Sequence, residues 1–187
     1  MRVAKRAALA AALMLTVATG AYAADMGNPM VGGMAMMKSK DIVSNAMNSA
    51  DNTTLVAAVK AAGLVDTLQG AGPFTVFAPT NEAFAVLPAG TVDTLLKPEN
   101  KATLVKILTY HVVPGRLDSA ALEKLIRKGG GKAELKTVQG DILTAQMNGP
   151  KNIVLVDEKG NTAEISTYDV YQSNGVIQVI DKVLMPN

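Results

Sequence analysis

Cysteine is absent from the 187-residue chain. Disulfides, thiolate nucleophiles, thiolate metal sites and a lipidated cysteine anchor are thereby excluded, and the fold has to be held by its core alone. Tryptophan is absent too, and three Phe and four Tyr are the only other large aromatics. The core must be aliphatic, and a sugar site built on stacked rings has little to draw on. Histidine occurs once, as His111. A single imidazole excludes a multi-histidine zinc site, and any Ser–His–Asp triad would have to pass through it. No G-x-S-x-G segment supplies the serine. The glycines at Gly70, Gly72 and Gly129 to Gly131 lack phosphate-loop spacing, with Ala133 standing where Ser or Thr is needed. Carboxylates such as Glu82, Glu123, Asp157 and Asp181 are scattered without pairing. Neither an enzyme nor a cofactor is expected.

A dominant charge is also missing, since 18 basic residues face 16 acidic ones. Residues 1–23 read as an export signal: Arg2, Lys5 and Arg6 precede an apolar run from Ala7 to Ala18, and Ala21-Tyr22-Ala23 forms a cleavage site. A transmembrane anchor is the competing reading, but the run is short for a bilayer and no second candidate follows. Removing three basic residues from the 18 leaves 15 against 16, a net of −1. With no cluster of Arg or Lys interleaved with aromatics, nucleic acid is not an expected partner. The chain is expected to be exported, to a periplasm or beyond it, with no membrane span after cleavage.

Residues 24–38 hold five of the ten methionines, among Gly27, Pro29, Gly32 and Gly33. Glycine and proline argue against a stable helix, so this is read as a flexible leader lying partly on the domain. Thioethers are soft ligands suited to Cu(I), and Met26, Met30 and Met34 recur every fourth residue. With Met36 and Met37 they form a candidate copper set, and periplasmic copper handling is the alternative function.

From Lys40 to Lys128 the pattern is mostly helical. Ser39 or Asp41 can cap a helix to Asn48, and Asn52-Thr53-Thr54, also an N-glycosylation acceptor, can cap one over Thr54–Ala62 that stops at Gly63. Short helices follow at Leu64–Leu68, Thr91–Leu96, Glu99–Leu108 and Ser119–Lys128. Between them Phe74 to Ala78 reads as a buried strand stopped by Pro79, with Thr80 as the cap of a further short helix. Beyond Gly131 the character changes: Ala133–Val138, Ile142–Met147, Ile153–Asp157, Ala163–Tyr171 and Val176–Leu184 are strand-like and separated by hairpin punctuation. Helices first and an antiparallel meander later define an α+β protein.

Three segments in order carry a family resemblance: FTVFAPTNEAFAVLP at Phe74–Pro88, TYHVVPGRL at Thr109–Leu117 and SNGVIQVIDKVLMP at Ser173–Pro186. They resemble the signature boxes of fasciclin-like domains and place one domain over residues 39–187. The resemblance implies a curled, wedge-like antiparallel β-sheet packed with short helices. It also implies a non-catalytic module for adhesion to a cell-surface or matrix protein or glycan. In that family the segment holding Tyr110-His111 is credited with partner binding. Read from the residues alone, the pair is structural, a ring in the core and an imidazole bonded nearby. Asp169 and Val170 match the Asp–aliphatic step that animal relatives present to receptors, and Tyr171, with Tyr168, offers an amphipathic patch. Gln178 stands where the family usually carries His, and an amide cannot charge. The candidate contact residues are therefore Tyr110, His111, Asp169, Val170 and Tyr171. A glycan or small-molecule cleft between sheet and helices is the third reading, weakened by the missing tryptophan.

Overall fold

The computed structural model describes residues 28–187; residues 1–23, expected to be an export signal, and Met26 lie outside the described residues. A two-residue hairpin comes first, β1 (Met30–Val31) against β2 (Met34–Ala35), turned by Gly32 and Gly33 at positive φ. Both central residues of such a turn need φ > 0. Gly32 also lies against the 3₁₀ turn Ala50–Asn52, where a Cβ would fall 2.5 Å from the Ala50 nitrogen.

The helical half then follows. Asp41 caps α1 (Ile42–Ala46), accepting from the Ser44 N–H at 2.9 Å. Next come α2 (Thr53–Ala62), stopped by left-handed Gly63, and α3 (Val65–Gln69). Strand β3 (Phe74–Pro79) runs straight into α4 (Asn81–Ala85), whose cap is Thr80. After α5 (Thr91–Leu95), the ten-residue α6 (Lys101–Tyr110) leads to β4 (Val112–Pro114) and α7 (Ser119–Lys128). The cap expected of Asn52 on α2 is not made. Asn52 is buried, donating to the Pro79 carbonyl at 3.1 Å, and the orphan Thr54 N–H goes to Asn81 Oδ1 of α4 at 3.0 Å. One helix start is thus capped by the next helix but one.

Five strands complete the chain: β5 (Lys132–Lys136), β6 (Ile142–Asn148), β7 (Asn152–Val156), β8 (Thr162–Gln172) and β9 (Gly175–Ile180). They form the expected antiparallel meander, but the full seven-stranded sheet, in the order β4-β3-β9-β8-β7-β6-β5, is mixed, because β3 runs parallel to β9. The sheet curls until its ends meet, with the Val138 N–H donating to the Val112 carbonyl at 2.7 Å. This near-closure protects the edge strands.

Curling creates two cores. The inner one, closed by α7, holds Phe77, Tyr110, Leu122, Leu143, Leu155 and Ile180. The outer one packs Val76, Val170, Ile177 and Val179 against α1, α2, α4 and α6. Strand β9 is buried along its whole length because each face serves one core. The strand expected to reach Leu184 ends at Ile180: the Asp181 N–H still donates to the Glu164 carbonyl of β8 at 3.1 Å, but further on the N–H groups of Leu184 and Met185 find side-chain acceptors instead of a ladder. Leu184 donates to His111 Nε2 at 3.0 Å and Met185 to Asp157 Oδ2 at 3.1 Å.

Candidate functional site

Tyr110 ends α6 and points into the inner core, 0 % exposed, its hydroxyl donating to the Ile142 carbonyl at 2.9 Å. Burial pushes its phenol up to about 12. His111 is 2 % exposed. Its Nδ1–H donates to the Ile107 carbonyl at 2.8 Å while Nε2 accepts from Leu184, which fixes one neutral tautomer. Burial pulls its pKa down to about 4. The pair ties α6 to the inner core and the C-terminal segment. Neither side chain is exposed at the surface.

Strand β8 is irregular. Its pairing with β9 slips between Ile165 and Thr167 and again between Thr167 and Val170. Asp169, at φ 57°, is the non-glycine residue in the left-handed region among those described. Aspartate tolerates that conformation better than most residues. The bulge aims its carboxylate at the start of α7, where Oδ1 accepts from the Ser119 N–H at 2.7 Å and Oδ2 from the Ser119 hydroxyl at 2.5 Å. Gln178 of β9 closes the arrangement: its amide donates to Asp169 Oδ1 at 3.0 Å and to the Leu117 carbonyl at 3.2 Å. Its oxygen accepts the Asp169 N–H at 3.0 Å. The amide, which has no charge to gain or lose, joins strand, bulge and helix start.

Asp118, the cap of α7, accepts from Ala121 N–H at 2.9 Å through Oδ1 and from the Tyr171 hydroxyl at 3.2 Å through Oδ2. Burial raises the Tyr171 pKa, and the Asp169 and Asp118 charges add to the rise. Beside it, exposed Arg116 donates to the Gln172 carbonyl at 3.3 Å, and the Lys38 ammonium lies 5.8 Å from the centre of the Tyr171 ring. This cation–π arrangement and the flanking charges make a half-exposed face of Lys38, Arg116, Asp118, Asp169 and Tyr171. Val170 lies beneath it, buried in the outer core. Tyr168 turns the other way, its oxygen accepting from the Ile153 N–H at 2.8 Å. Of the candidate contact residues the structure brings together Asp169 and Tyr171. Sequence reading missed Arg116, Asp118 and Lys38, although Asp118-Ser119 ahead of an apolar-periodic stretch is a readable cap signal.

Replacing Asp169 by alanine strands the two Ser119 groups and half of the Gln178 amide. The expected loss is about 2 kcal/mol of stability, seen as a lower urea midpoint at an unchanged slope.

Among the described residues, Met30, Met34, Met36 and Met37 do not share one face. Hairpin pairing sets Met34 on the face of buried Val31 and Met30 on the opposite face with Ala35. Met36 is a core side chain, and Met37 stands outside. Among the described residues no group of three or more His, Cys, Asp or Glu is placed to hold a metal ion. Between α1, α2, α3 and the outer sheet face lies an apolar cavity of about 30 Å³, walled by Ile42, Val43, Leu55, Val59, Leu68 and Ile177. It has water-sized room and no polar wall atoms, unlike a glycan site.

A curled mixed sheet with a helical layer outside and one helix closing its interior defines the class: an α+β module whose polar side chains are spent on holding elements together. The sequence model of the fasciclin domain family matches residues 50–186, and the chain belongs to that family. Protein sll1483 of Synechocystis sp. is 46 % identical over 173 residues, covering 92 % of this chain and 88 % of its own. The transforming growth factor-beta-induced protein ig-h3 of Sus scrofa is 40 % identical over 132 residues, 71 % of this chain but 17 % of its own length. A FAS1 domain pair from the insect cell adhesion molecule fasciclin I superposes with a TM-score of 0.69 at 18 % identity. That match covers 78 % of this chain and 51 % of the pair. Among the described residues no helix is long and apolar enough to cross a membrane.

Proposed function

We propose that this chain is an exported, non-catalytic adhesion module that meets a cell-surface or matrix protein or glycan through the face around Tyr171. The observation that carries this reading is the held geometry of that face. A half-exposed tyrosine is pinned by Asp118 and overlaid by Lys38, with Arg116 and Asp169 beside it. Aromatic and arginine side chains fixed in advance are what protein interfaces use as anchors, because little entropy remains to be lost on binding. The fasciclin family membership and the similarity to a cell adhesion molecule's domains support the same class of function. The buried Tyr110-His111 pair serves as scaffold within it.

The test uses beads coated with the protein and an envelope or matrix preparation. Arg116→Glu combined with Lys38→Glu reverses two exposed charges without touching a core side chain. Retention of the envelope component is expected to fall at least about ten-fold, roughly the effect of losing 1.4 kcal/mol. Equal retention by the variant would move the binding face elsewhere.

A further inference from the structure

We propose that the methionines left exposed on the amino-terminal hairpin, just after it and at the end of α1 are separate, reversible oxidation sites. There Met30, Met34, Met37 and Met47 take oxygen from small peroxide or hypohalite oxidants, while the domain they sit on stays folded. The chain offers an oxidant few other targets, having no cysteine, no tryptophan and a single, buried histidine. Thioethers are then the most readily oxidised groups in the protein, and their accessibility decides the order.

The structure sorts them sharply. Met30 is 61 % exposed, Met34 50 %, Met37 41 % and Met47 51 %, whereas Met36, in the same short segment, is 1 % exposed. Met36 is the anchor: its side chain is in the outer core and its N–H donates to the Pro29 carbonyl at 3.0 Å. Asn45 grips the next residue by its backbone alone, accepting from the Met37 N–H at 3.0 Å and donating to the Met37 carbonyl at 2.8 Å. The thioether of Met37 is left at the surface, where it accepts from the Asn28 side-chain amide at 3.9 Å. The exposed sulfurs can thus change chemistry while the Met36 side chain and the Asn45 bonds that dock the segment are untouched.

The step balances simply. A sulfur lone pair attacks one oxygen of hydrogen peroxide; an S–O bond forms, the O–O bond breaks, and the departing hydroxide takes the remaining proton as water. Sulfur gives up two electrons and the peroxide gains them. A methionine sulfoxide reductase returns two electrons from thiols, which become a disulfide, and the oxygen leaves as water. Each cycle turns an apolar, flexible side chain polar and back again. The result is a set of exposed side chains whose polarity follows the oxidant level at constant fold.

Treating the protein with hydrogen peroxide and mapping peptides by mass spectrometry over time tests this. Met30, Met34, Met37 and Met47 are expected to gain one oxygen each at least about ten-fold faster than Met36, with near-ultraviolet circular dichroism unchanged. Methionine sulfoxide reductase with dithiothreitol should then remove those oxygens. A variant with all four changed to leucine should fold normally and take up oxygen more slowly. Oxidation of Met36 in step with the others, loss of the dichroism signal with the first oxygens, or sulfoxides that survive the reductase would each overturn the proposal.

Discussion

Gly175→Ala is expected to cost more than about 3 kcal/mol and to leave little folded protein near 37 °C. A Cβ at this position would fall 2.1 Å from the Phe74 carbonyl oxygen, 3.0 Å from its carbon and 2.9 Å from Ile42 Cδ1. The Ile42 methyl can move, but the Phe74 carbonyl cannot. Phe74 is paired with Gly175 on one side and Pro114 on the other, and its own N–H donates to the Asn174 carbonyl at 3.0 Å. Relief therefore requires β3 and β9 to part, and these strands divide the two cores. Asn174 raises the cost, because its side chain accepts from the Ile42 N–H and donates to the Leu68 and Gly70 carbonyls, bonds that would shift with the strand. Urea unfolding followed by far-ultraviolet dichroism measures the loss. Ser173→Ala, exposed in the turn that joins β8 to β9, is the control and should stay within about 0.5 kcal/mol. A Gly175→Ala variant within 1 kcal/mol of the parent, by the same roughly calibrated scale, would mean that the β3–β9 approach is looser than the structure has it.

Local signals in the sequence were sufficient for local structure. Thr80 accepts from Ala83 N–H as its cap, Gly63 adopts the left-handed stop, and α7 occupies Ser119–Lys128 as its periodicity requires. The α+β class and the meander from β5 to β9 follow from such patterns, since each hairpin is written in its own few residues. What was not legible depends on partners far along the chain. The parallel pairing of β3 with β9 joins Phe74 to Gly175 across four helices and five strands, and no period records it. The same holds for Asn81 capping α2 and for Met36 entering the outer core from a stretch that reads as a leader. At the candidate site, Asp169 is singled out by the family resemblance and Tyr171 by its amphipathic ring near a turn. Their joining through Asp118 and Ser119 needed the double slip in β8, which alternation alone does not encode.

The stability of this domain should fall as pH drops from about 6.5 toward 4, with His111 as the cause. Folded, the imidazole is buried, bonded through both nitrogens, and held to a pKa of about 4 by burial, which outweighs the nearby Asp157 charge. Unfolded, it titrates at the ordinary value of about 6.5. Between those values the unfolded chain binds a proton that the folded one does not, so acid favours unfolding; above about 6.5 neither state is protonated and the contribution is flat. Integrated over the window, the shift corresponds to about 3 kcal/mol, of which about 2 kcal/mol is spent by pH 5, before most carboxylates begin to titrate. The comparison that isolates it is urea unfolding at pH 7 and pH 5 for the parent and for His111→Leu. The variant should be weaker at pH 7, because the Leu184 N–H loses its acceptor, yet its loss between pH 7 and pH 5 should shrink to a small fraction of the parent's. Equal losses in the two proteins would assign the acid sensitivity to other groups and would place His111 in contact with water.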